Sequence, residues 1–329
     1  MFRGSVVQDR DVPHLLFVLD GMGDIEYEEL NSLSPFIYAD TPNVSRVFGS
    51  KADAQHILTA AEGVVPSSEV GHCGLIGVDA DLLPSRGVLE TLAFINMPNG
   101  SVGIKCCIGQ FVDGVLQRKA LITREKSEFM VLDVISSIHD HRDLIYGVEF
   151  YDNHRFVLCI NTTVVPKTND PLQDGLMPTE CSGVLKEMVI VAENKYPNFP
   201  FLFRDAGIYS GALPTTSNNT AFVSSPVLRG LFFFLGWVVE PITLERIMIS
   251  VRNAAPGDVV LVNVKEVDDR SHNRDLYGKI EEIEKFDFLL NDILPFVPDK
   301  MRMVLTADHR TLCATGNHAT GWVPLLVKS

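Results

Sequence analysis

Three apolar runs that each lead into a carboxylate or an imidazole constrain the fold of this 329-residue chain more than any other feature. The runs occupy residues 15–20, 259–264 and 301–305, and the polar residues at their ends are Asp20, Asp268 with His272, and Asp308 with His309. Short continuous apolar runs are typical of strands buried in a parallel sheet. Because ligands of open α/β sheets bind at the carboxyl ends of the strands, the pattern predicts an α/β fold with a metal site at that edge.

Length and composition limit the classes of partner. A chain of 329 residues is long for one hydrophobic core and predicts two domains. The net charge of −14 argues against a nucleic-acid partner and against an anionic membrane. It does not exclude a small phosphorylated substrate, because bound divalent cations reverse the local field.

Residues 1–13 carry charges and a proline instead of the apolar stretch of a signal peptide, and the apolar run at 231–239 is too short to span a bilayer. The six cysteines include no CxxC pair, which argues against a structural zinc site. We therefore expect a cytoplasmic protein with reduced thiols.

Local patterns divide the chain into an outer α/β part and a middle part. The outer part is predicted to contain strands at 14–20, 55–60, 259–264, 301–306 and 322–327, and helices at 41–49, 69–76, 243–254 and 275–294, with a helix, a glycine stop and a strand over 227–239. Thr41 is expected to cap the first of these helices, and Ser67 or Ser68 the second. A helix is also expected from residue 86.

The middle part has a different texture. β-rich segments at 102–112, 117–123, 144–150 and 155–161 surround one helix near 127–139, and the stretch before 200 is rich in loop residues. We therefore predict a doubly wound α/β domain formed by residues 1–97 and 203–329, with an inserted α+β domain at 98–202.

Seven residues form a candidate metal and nucleophile site. They share predicted places at strand ends, at a helix start or in the loops that follow, and they are Asp20, Ser68, Asp268, His272, Asp308, His309 and His318. Oxygen and imidazole ligands suit Mn²⁺, Zn²⁺ or Mg²⁺, and two such ions would activate a serine hydroxyl for phosphoryl transfer. Taken singly, Asp20 also fits a turn and Ser68 also fits a helix cap.

Several motifs resemble the archaeal-type cofactor-independent phosphoglycerate mutases of the alkaline phosphatase superfamily. The matching segments run almost from end to end, and they are LDGMGD at 19–24, TPNVSR at 41–46, PSSEVGH at 66–72, RGVLETL at 86–92, HRFVL at 154–158, NDP at 169–171, YPN at 196–198, FRDAG at 203–207, VKEVDDRSH at 264–272, TADH at 306–309 and NHATGWVPLL at 317–326.

This resemblance implies an alkaline-phosphatase-like doubly wound fold in which the inserted domain at 98–202 binds substrate, and it implies roles for individual residues. One ion would bind Asp20, Ser68, Asp308 and His309, and a second would bind Asp268, His272 and His318, with Mn²⁺ favoured over Zn²⁺, Mg²⁺ or Co²⁺. Ser68 would accept the phosphoryl group. The expected contacts to the phosphate or carboxylate of the substrate are Arg86, Arg155, Arg204 and Lys265.

The chain departs from the family pattern in several places. Glu69 stands where the family usually has Asp, residues 104–108 read IKCCI in place of an Arg-Cys-Asn strand, and 271–275 read SHNRD in place of GHDGD. A loop that lies near substrate in the family is missing after Val239. Three functions therefore remain open: a phosphoglycerate mutase, a metal-dependent phosphohydrolase or related phosphoester enzyme, and a non-catalytic binding protein.

Overall fold

The computed structural model of the chain describes residues 5–7, 9–213 and 218–328. The expectation drawn from residues 1–13 falls partly outside this range, because residues 1–4 and 8 are not described. No helix among the described residues is both long enough and apolar enough to cross a bilayer. The six cysteines are free.

The described residues form fifteen strands and ten α-helices. The strands are β1 (His14–Leu19), β2 (Gln55–Ile57), β3 (Val102–Ile108), β4 (Gln110–Val112), β5 (Val115–Gln117), β6 (Ile145–Phe150), β7 (Arg155–Ile160), β8 (Phe201–Ile208), β9 (Thr220–Phe222), β10 (Val238–Glu240), β11 (Val259–Val264), β12 (Arg302–Thr306), β13 (Arg310–Leu312), β14 (Asn317–Ala319) and β15 (Val323–Lys328). The helices are α1 (Pro35–Tyr38), α2 (Pro42–Phe48), α3 (Ser68–Ile76), α4 (Arg86–Leu92), α5 (Arg124–Ser136), α6 (Val184–Lys195), α7 (Pro226–Phe234), α8 (Leu244–Asn253), α9 (Glu266–His272) and α10 (Leu276–Ile293).

The chain divides into two compact units. The first unit comprises Met1–Leu83, Pro214–Leu228 and Leu235–Ser329, and the second comprises Pro84–Leu213 and Arg229–Phe234. The expected boundaries at 97/98 and 202/203 differ from these, because α4 and the whole of β8 belong to the second unit. The backbone of α4 at Gly87 lies so close to the sheet that a Cβ there would stand 2.2 Å from the carbonyl oxygen of Asp205.

The first unit is built on a seven-stranded sheet in the order β10-β9-β11-β1-β12-β15-β2. Neighbouring strands from β10 to β12 run parallel, whereas β15 is antiparallel to both β12 and β2. All six residues of β1 are buried, which explains its uninterrupted apolar sequence. The predicted strand at 55–60 ends earlier, at Ile57, because its partner β15 begins opposite that residue, at Val323.

Two helices of the first unit are tied together by Asp287. Thr41 lies at the N-cap of α2, as expected, but its side chain accepts no capping hydrogen bond. The carboxylate of Asp287 on α10 instead accepts bonds from the backbone N–H groups of Asn43 at 3.1 Å and Val44 at 2.7 Å. An acidic group at a helix N-terminus satisfies orphan N–H groups and the helix dipole, so a distant residue performs the capping.

The second unit has a four-stranded antiparallel sheet in the order β6-β7-β3-β8. Side chains of successive residues of β7 belong to two different hydrophobic clusters. Phe156 and Leu158 pack with buried side chains of α5 and α6, while Val157 packs with Val88 of α4. The predicted strand at 102–112 is interrupted at Gly109, and the predicted strand at 117–123 is wrong beyond Gln117. The chain leaves the β4–β5 hairpin there, because Arg118 turns to pair with Asp170.

Candidate metal centre

The register of the central strands brings three chain segments to one edge of the sheet. Leu19 at the end of β1 pairs with Val264 at the end of β11, and Val18 pairs with Thr306 at the end of β12. The next N–H, that of Asp20, still donates to the carbonyl of Val264 at 3.1 Å. The residues that follow the three strands therefore emerge side by side.

The first group of candidate ligands surrounds Nε2 of His309. This atom lies 3.4 Å from Oδ1 of Asp20, 3.3 Å from Oδ2 of Asp308 and 3.3 Å from Oγ of Ser68. Asp20, Asp308 and His309 are almost completely buried. Oδ1 of Asp20 accepts no hydrogen bond from the described residues, which is costly for a buried carboxylate oxygen unless a cation approaches it.

The second group contains two imidazoles whose free nitrogens face each other. Nδ1 of His272 donates to the carbonyl of Gly316 at 2.8 Å, and Nδ1 of His318 donates to the carbonyl of Pro66 at 3.0 Å. The two Nε2 atoms are only 3.2 Å apart, and Nε2 of His272 lies 3.1 Å from Oδ2 of Asp268. Lone pairs that converge in this way, with a carboxylate beside them, require a shared proton or a cation.

The electrostatics of the first group favour a positive charge. Burial raises the pKa of Asp20 well above its ordinary value, and the carboxylates of Asp308 and Asp268 raise it further. Burial also lowers the pKa of His309 to about 4, so its imidazole is neutral at pH 7. Three neighbouring carboxylates with a neutral imidazole suit a divalent cation.

The carboxylates of Asp268 and Asp308, unlike that of Asp20, have lowered pKa values. Burial acts to raise the pKa of Asp268, but the hydrogen bond from His272 and the electrostatic influence of His309 outweigh it and leave the pKa low. Burial likewise opposes ionisation of Asp308, while His309 and His72 hold its pKa below the ordinary value. The hydrogen bond to Asp268 raises the pKa of His272. Metal binding by His272 would therefore compete with a proton.

Helix α3 places Ser68 against this group. Ser67 is the N-cap and Ser68 is the first helical residue, so Ser68 does not itself cap the helix. A Cβ at Gly71 would stand 2.2 Å from the carbonyl oxygen of Asp308, which shows that only glycine permits the helix to approach so closely. His72 donates from Nδ1 to the carbonyl of Ser68 at 2.8 Å and lies 3.4 Å from Oδ2 of Asp308.

All seven candidate ligands thus lie in one cluster within the first unit. In each of two sets of three residues, the ligand atoms lie within 4.8 Å of one another. One set is Asp20, Asp308 and His309, and the other is Asp268, His309 and His318. His309 therefore reaches both groups, although the sequence assigned it to one. Which of these residues bind metal stays a prediction.

Lys265 lies beside the cluster, as its place after β11 suggests. Its Nζ is 2.7 Å from Oδ1 of Asp269 and 3.5 Å from Oδ2 of Asp268. Burial acts to lower the pKa of this ammonium, but the charge of Asp20 and the bond to Asp269 raise it. Lys265 is therefore a permanent positive charge near the candidate ligands.

The three predicted substrate arginines lie in the second unit, where two of them line a small cationic pocket. The pocket has a volume of about 40 Å³, and it is lined by Cys107 and by the basic residues Lys105, Arg118, Lys119, His154, Arg155 and Arg204. Nε of Arg204 is buried and donates no hydrogen bond to the described residues. The third arginine, Arg86, lies outside this lining and donates from Nε to Glu90 at 2.9 Å.

Sequence reasoning missed Lys105 and Arg118 in this pocket. Arg118 makes a two-pronged ion pair with Asp170, with both N–O distances 2.7 Å. Lys105 pairs with Glu90, whose other oxygen accepts from Tyr151 at 2.7 Å. The NDP motif at 169–171 gave a signal for Asp170, but its partner is 52 residues away and no local pattern connects the two.

Comparisons with known proteins agree with the fold. A protein from Pyrococcus horikoshii matches with a TM-score of 0.78 at 19% identity, over 97% of this chain and 88% of its own. The cofactor-independent phosphoglycerate mutase from Thermoplasma acidophilum matches with a TM-score of 0.61 at 21% identity, over 97% of this chain and 90% of its own. At such low identity these likenesses show the fold alone, and they confirm the predicted α/β class.

Sequence relatives cover nearly the whole chain. A 2,3-bisphosphoglycerate-independent phosphoglycerate mutase of Methanopyrus kandleri is 27% identical over an alignment of 371 positions, which covers 95% of this chain and 86% of the relative. A probable enzyme of the same name from Deinococcus radiodurans is 27% identical over an alignment of 364 positions, which covers 99% of this chain and 87% of the relative. The family model described as the metalloenzyme superfamily matches residues 12–329. The resemblance seen in the sequence motifs is confirmed, and the chain belongs to the metalloenzyme superfamily.

Proposed function

We propose that this chain is a 2,3-bisphosphoglycerate-independent phosphoglycerate mutase, which interconverts 3-phosphoglycerate and 2-phosphoglycerate through a phosphoserine at Ser68. The observation that carries the proposal is the position of the Ser68 hydroxyl, 3.3 Å from Nε2 of His309, among buried carboxylates that suit a cation. Full-length relatives that carry this name support it.

The residues that would hold the cations are those of the two groups. Asp20, Ser68, Asp308 and His309 would bind one ion, and Asp268, His272 and His318 the other. Mixed carboxylate and imidazole ligands favour Mn²⁺, with Zn²⁺, Mg²⁺ and Co²⁺ as alternatives. When bound, the ions would lower the pKa of the Ser68 hydroxyl and withdraw charge from the phosphoryl oxygens.

Ser68 performs the transfer. Its Oγ loses a proton and forms a bond to phosphorus as the bond between phosphorus and the 3-oxygen of glycerate breaks, and that oxygen takes up a proton. The 2-hydroxyl of the glycerate then loses its proton and forms a bond to phosphorus as the bond between phosphorus and Oγ of Ser68 breaks, and Oγ takes up a proton. Because Ser68 is the first residue of α3, backbone N–H groups of the first turn favour the phosphate dianion.

The cationic pocket of the second unit would bind the carboxylate of the substrate. Guanidinium groups such as those of Arg155 and Arg204 bind planar carboxylates through paired hydrogen bonds. Arg86 and Lys265 are further proposed contacts to the phosphate or carboxylate. Arg118 is already held by Asp170, so it contributes charge and orientation.

One observation favours a second candidate, a phosphohydrolase with the same centre. β10 ends at Glu240 and α8 begins at Leu244, so only residues 241–243 connect them, where the family has a longer loop near substrate. A shorter loop would exclude water less well, and water would then take the phosphoryl group.

A phosphorus NMR experiment separates these functions. The protein is incubated with Mn²⁺ and 3-phosphoglycerate, and the spectrum is followed with time. A mutase gives 2-phosphoglycerate at constant total ester, whereas a phosphohydrolase gives inorganic phosphate. A spectrum in which 3-phosphoglycerate persists unchanged would contradict both.

A further inference from the structure

A completely buried lysine lies behind the candidate metal centre. Lys279 belongs to α10, and its side chain has no exposure to solvent. Its Nζ donates to the carboxylate of Asp24 at 2.9 Å and to the carbonyls of Gly21 at 3.0 Å and Thr311 at 2.9 Å. Burying an ammonium is costly unless it is paired and fully hydrogen-bonded, so this arrangement requires a reason beyond packing.

The partners of Lys279 lie on the two segments that carry the candidate ligands Asp20, Asp308 and His309. Gly21 follows Asp20 directly, and Thr311 lies two residues after His309. Asp24 strengthens the link, because its Oδ2 also accepts from the backbone N–H of Cys313 at 3.3 Å. The lysine therefore joins the loop after β1 to the segment after β12.

Thr311 extends this link to both ligand groups. Its hydroxyl donates to Oδ1 of Asp268 at 2.7 Å and lies 3.1 Å from Nδ1 of His309. A hydroxyl has a single proton, and here it goes to Asp268, so the oxygen accepts from Nδ1–H of His309. Nε2 of His309 is then the unprotonated nitrogen, and it faces Asp20 and Asp308.

We propose that Lys279 and Thr311 are positioning residues that hold His309 and Asp268 in the orientation and tautomer needed for metal binding. Lys279 fixes the backbone of Thr311, and the Thr311 hydroxyl fixes the two ligands. Outer hydrogen-bond partners of this kind orient imidazole ligands in metal sites. The inference rests on the proposed metal centre and adds two residues that the sequence motifs did not suggest.

The first test removes only the hydroxyl. Thr311→Val keeps the shape of the side chain, and Mn²⁺ binding is measured by isothermal titration calorimetry. We expect affinity about 10- to 100-fold weaker than in the unmodified protein. Thr91→Val is the control, because Thr91 is also fully buried but its hydroxyl bonds to the carbonyl of Gly87 in the second unit.

The outcomes separate this inference from the function on which it rests. An unmodified protein that binds no Mn²⁺ would overturn the metal centre and the inference together. Normal binding by the unmodified protein with equal affinity in Thr311→Val would overturn the role of Thr311 alone. Equal weakening in Thr91→Val would show that loss of any buried hydroxyl has this effect, and would also overturn it.

The second test addresses Lys279. Lys279→Met alone leaves Asp24 buried without its partner, so it is combined with Asp24→Asn to keep the site neutral. We expect weaker Mn²⁺ binding and loss of amide-exchange protection in residues 20–24 and 309–314, while β1 stays protected. Lys285→Met is the control, since Lys285 lies on the same helix with half its side chain exposed. Unchanged Mn²⁺ affinity in the double variant would overturn the role of Lys279.

Discussion

At the scale of single residues, the proposed chemistry depends on which atoms the fold leaves available. Hydrogen bonds to backbone carbonyls occupy Nδ1 of His272 and His318, so that both Nε2 atoms point inward. The position in the helix likewise decides which serine hydroxyl is available. Ser67 is at the N-cap, whereas the hydroxyl of Ser68 faces His309. A shift of one residue along the helix would remove the nucleophile.

Ser68→Ala is expected to abolish mutase turnover, with a loss of ~10⁴-fold or more in kcat, because no other group is proposed to carry the phosphoryl. The measurement is a coupled assay for 2-phosphoglycerate at saturating Mn²⁺, with circular dichroism to confirm the fold. Ser67→Ala is the matched control and should keep nearly full activity, since its side chain makes no capping bond. Comparable turnover in both variants would remove Ser68 from the mechanism.

The lowered pKa of Lys105 predicts that kcat/KM depends on pH. Burial lowers the pKa of this ammonium to about 8, although the neighbouring Glu90 opposes the shift. The positive charge is therefore present below about pH 8 and lost above it. If Lys105 helps to bind the anionic substrate, kcat/KM should fall as the pH rises through about 8.

Lys105→Arg provides the comparison, because a guanidinium stays charged throughout this range. We expect the fall of kcat/KM near pH 8 to disappear in this variant, even if its absolute value changes. Identical pH profiles for the two proteins would exclude Lys105 as the titrating group.

At the scale of elements, α10 connects the core of the first unit to the loop after β1 and the segment after β12, which carry candidate ligands. Its apolar stripe of Ile280, Ile283, Phe286 and Leu290 is buried, as its sequence periodicity predicted. The ring of Phe286 packs edge-on against Phe17 of β1, with centroids 5.2 Å apart. The same helix carries Lys279 and Asp287, whose partners lie on other segments.

Phe286→Ala should destabilise the first unit by about 3–5 kcal/mol, because it leaves a cavity against the central strand. Phe288→Ala, on the same helix but with a ring that is 70% exposed, should change stability by less than about 0.5 kcal/mol. Both tryptophans, Trp237 and Trp322, lie in the first unit, so urea unfolding followed by tryptophan fluorescence reports on that unit. Equal midpoints for the two variants would contradict the packing described.

The sequence predicted the elements whose signals are local. The strands β1, β11, β12 and β15 begin and end within one residue of the prediction, because apolar runs bounded by polar residues and turns mark buried strands. Helix α6 was missed, since proline and asparagine on both sides gave its region the texture of a loop. The bonds of Lys279 to Gly21 and Thr311 span 258 and 32 residues, so local patterns carry no signal for them.

At the scale of the whole molecule, each unit has its own sheet and its own core, and the proposed roles divide between them. All seven candidate ligands, Lys265 and the positioning residues lie in the first unit, whereas the pocket with Arg155 and Arg204 lies in the second. The insertion of one module at 98–202 into an α/β domain stays a prediction, and these bounds differ from those of the second unit, Pro84–Leu213 and Arg229–Phe234. Gly87 and Gly103 allow α4 to lie against the sheet, and this close packing is visible only in the three-dimensional structure.

The metal centre is tested most directly by anomalous X-ray diffraction from crystals of the protein grown with Mn²⁺. We predict two anomalous peaks, one coordinated by Asp20, Ser68, Asp308 and His309 and the other by Asp268, His272 and His318. The absence of manganese from this cluster in a protein crystallised at saturating Mn²⁺, or peaks bound only by other residues, would contradict the account.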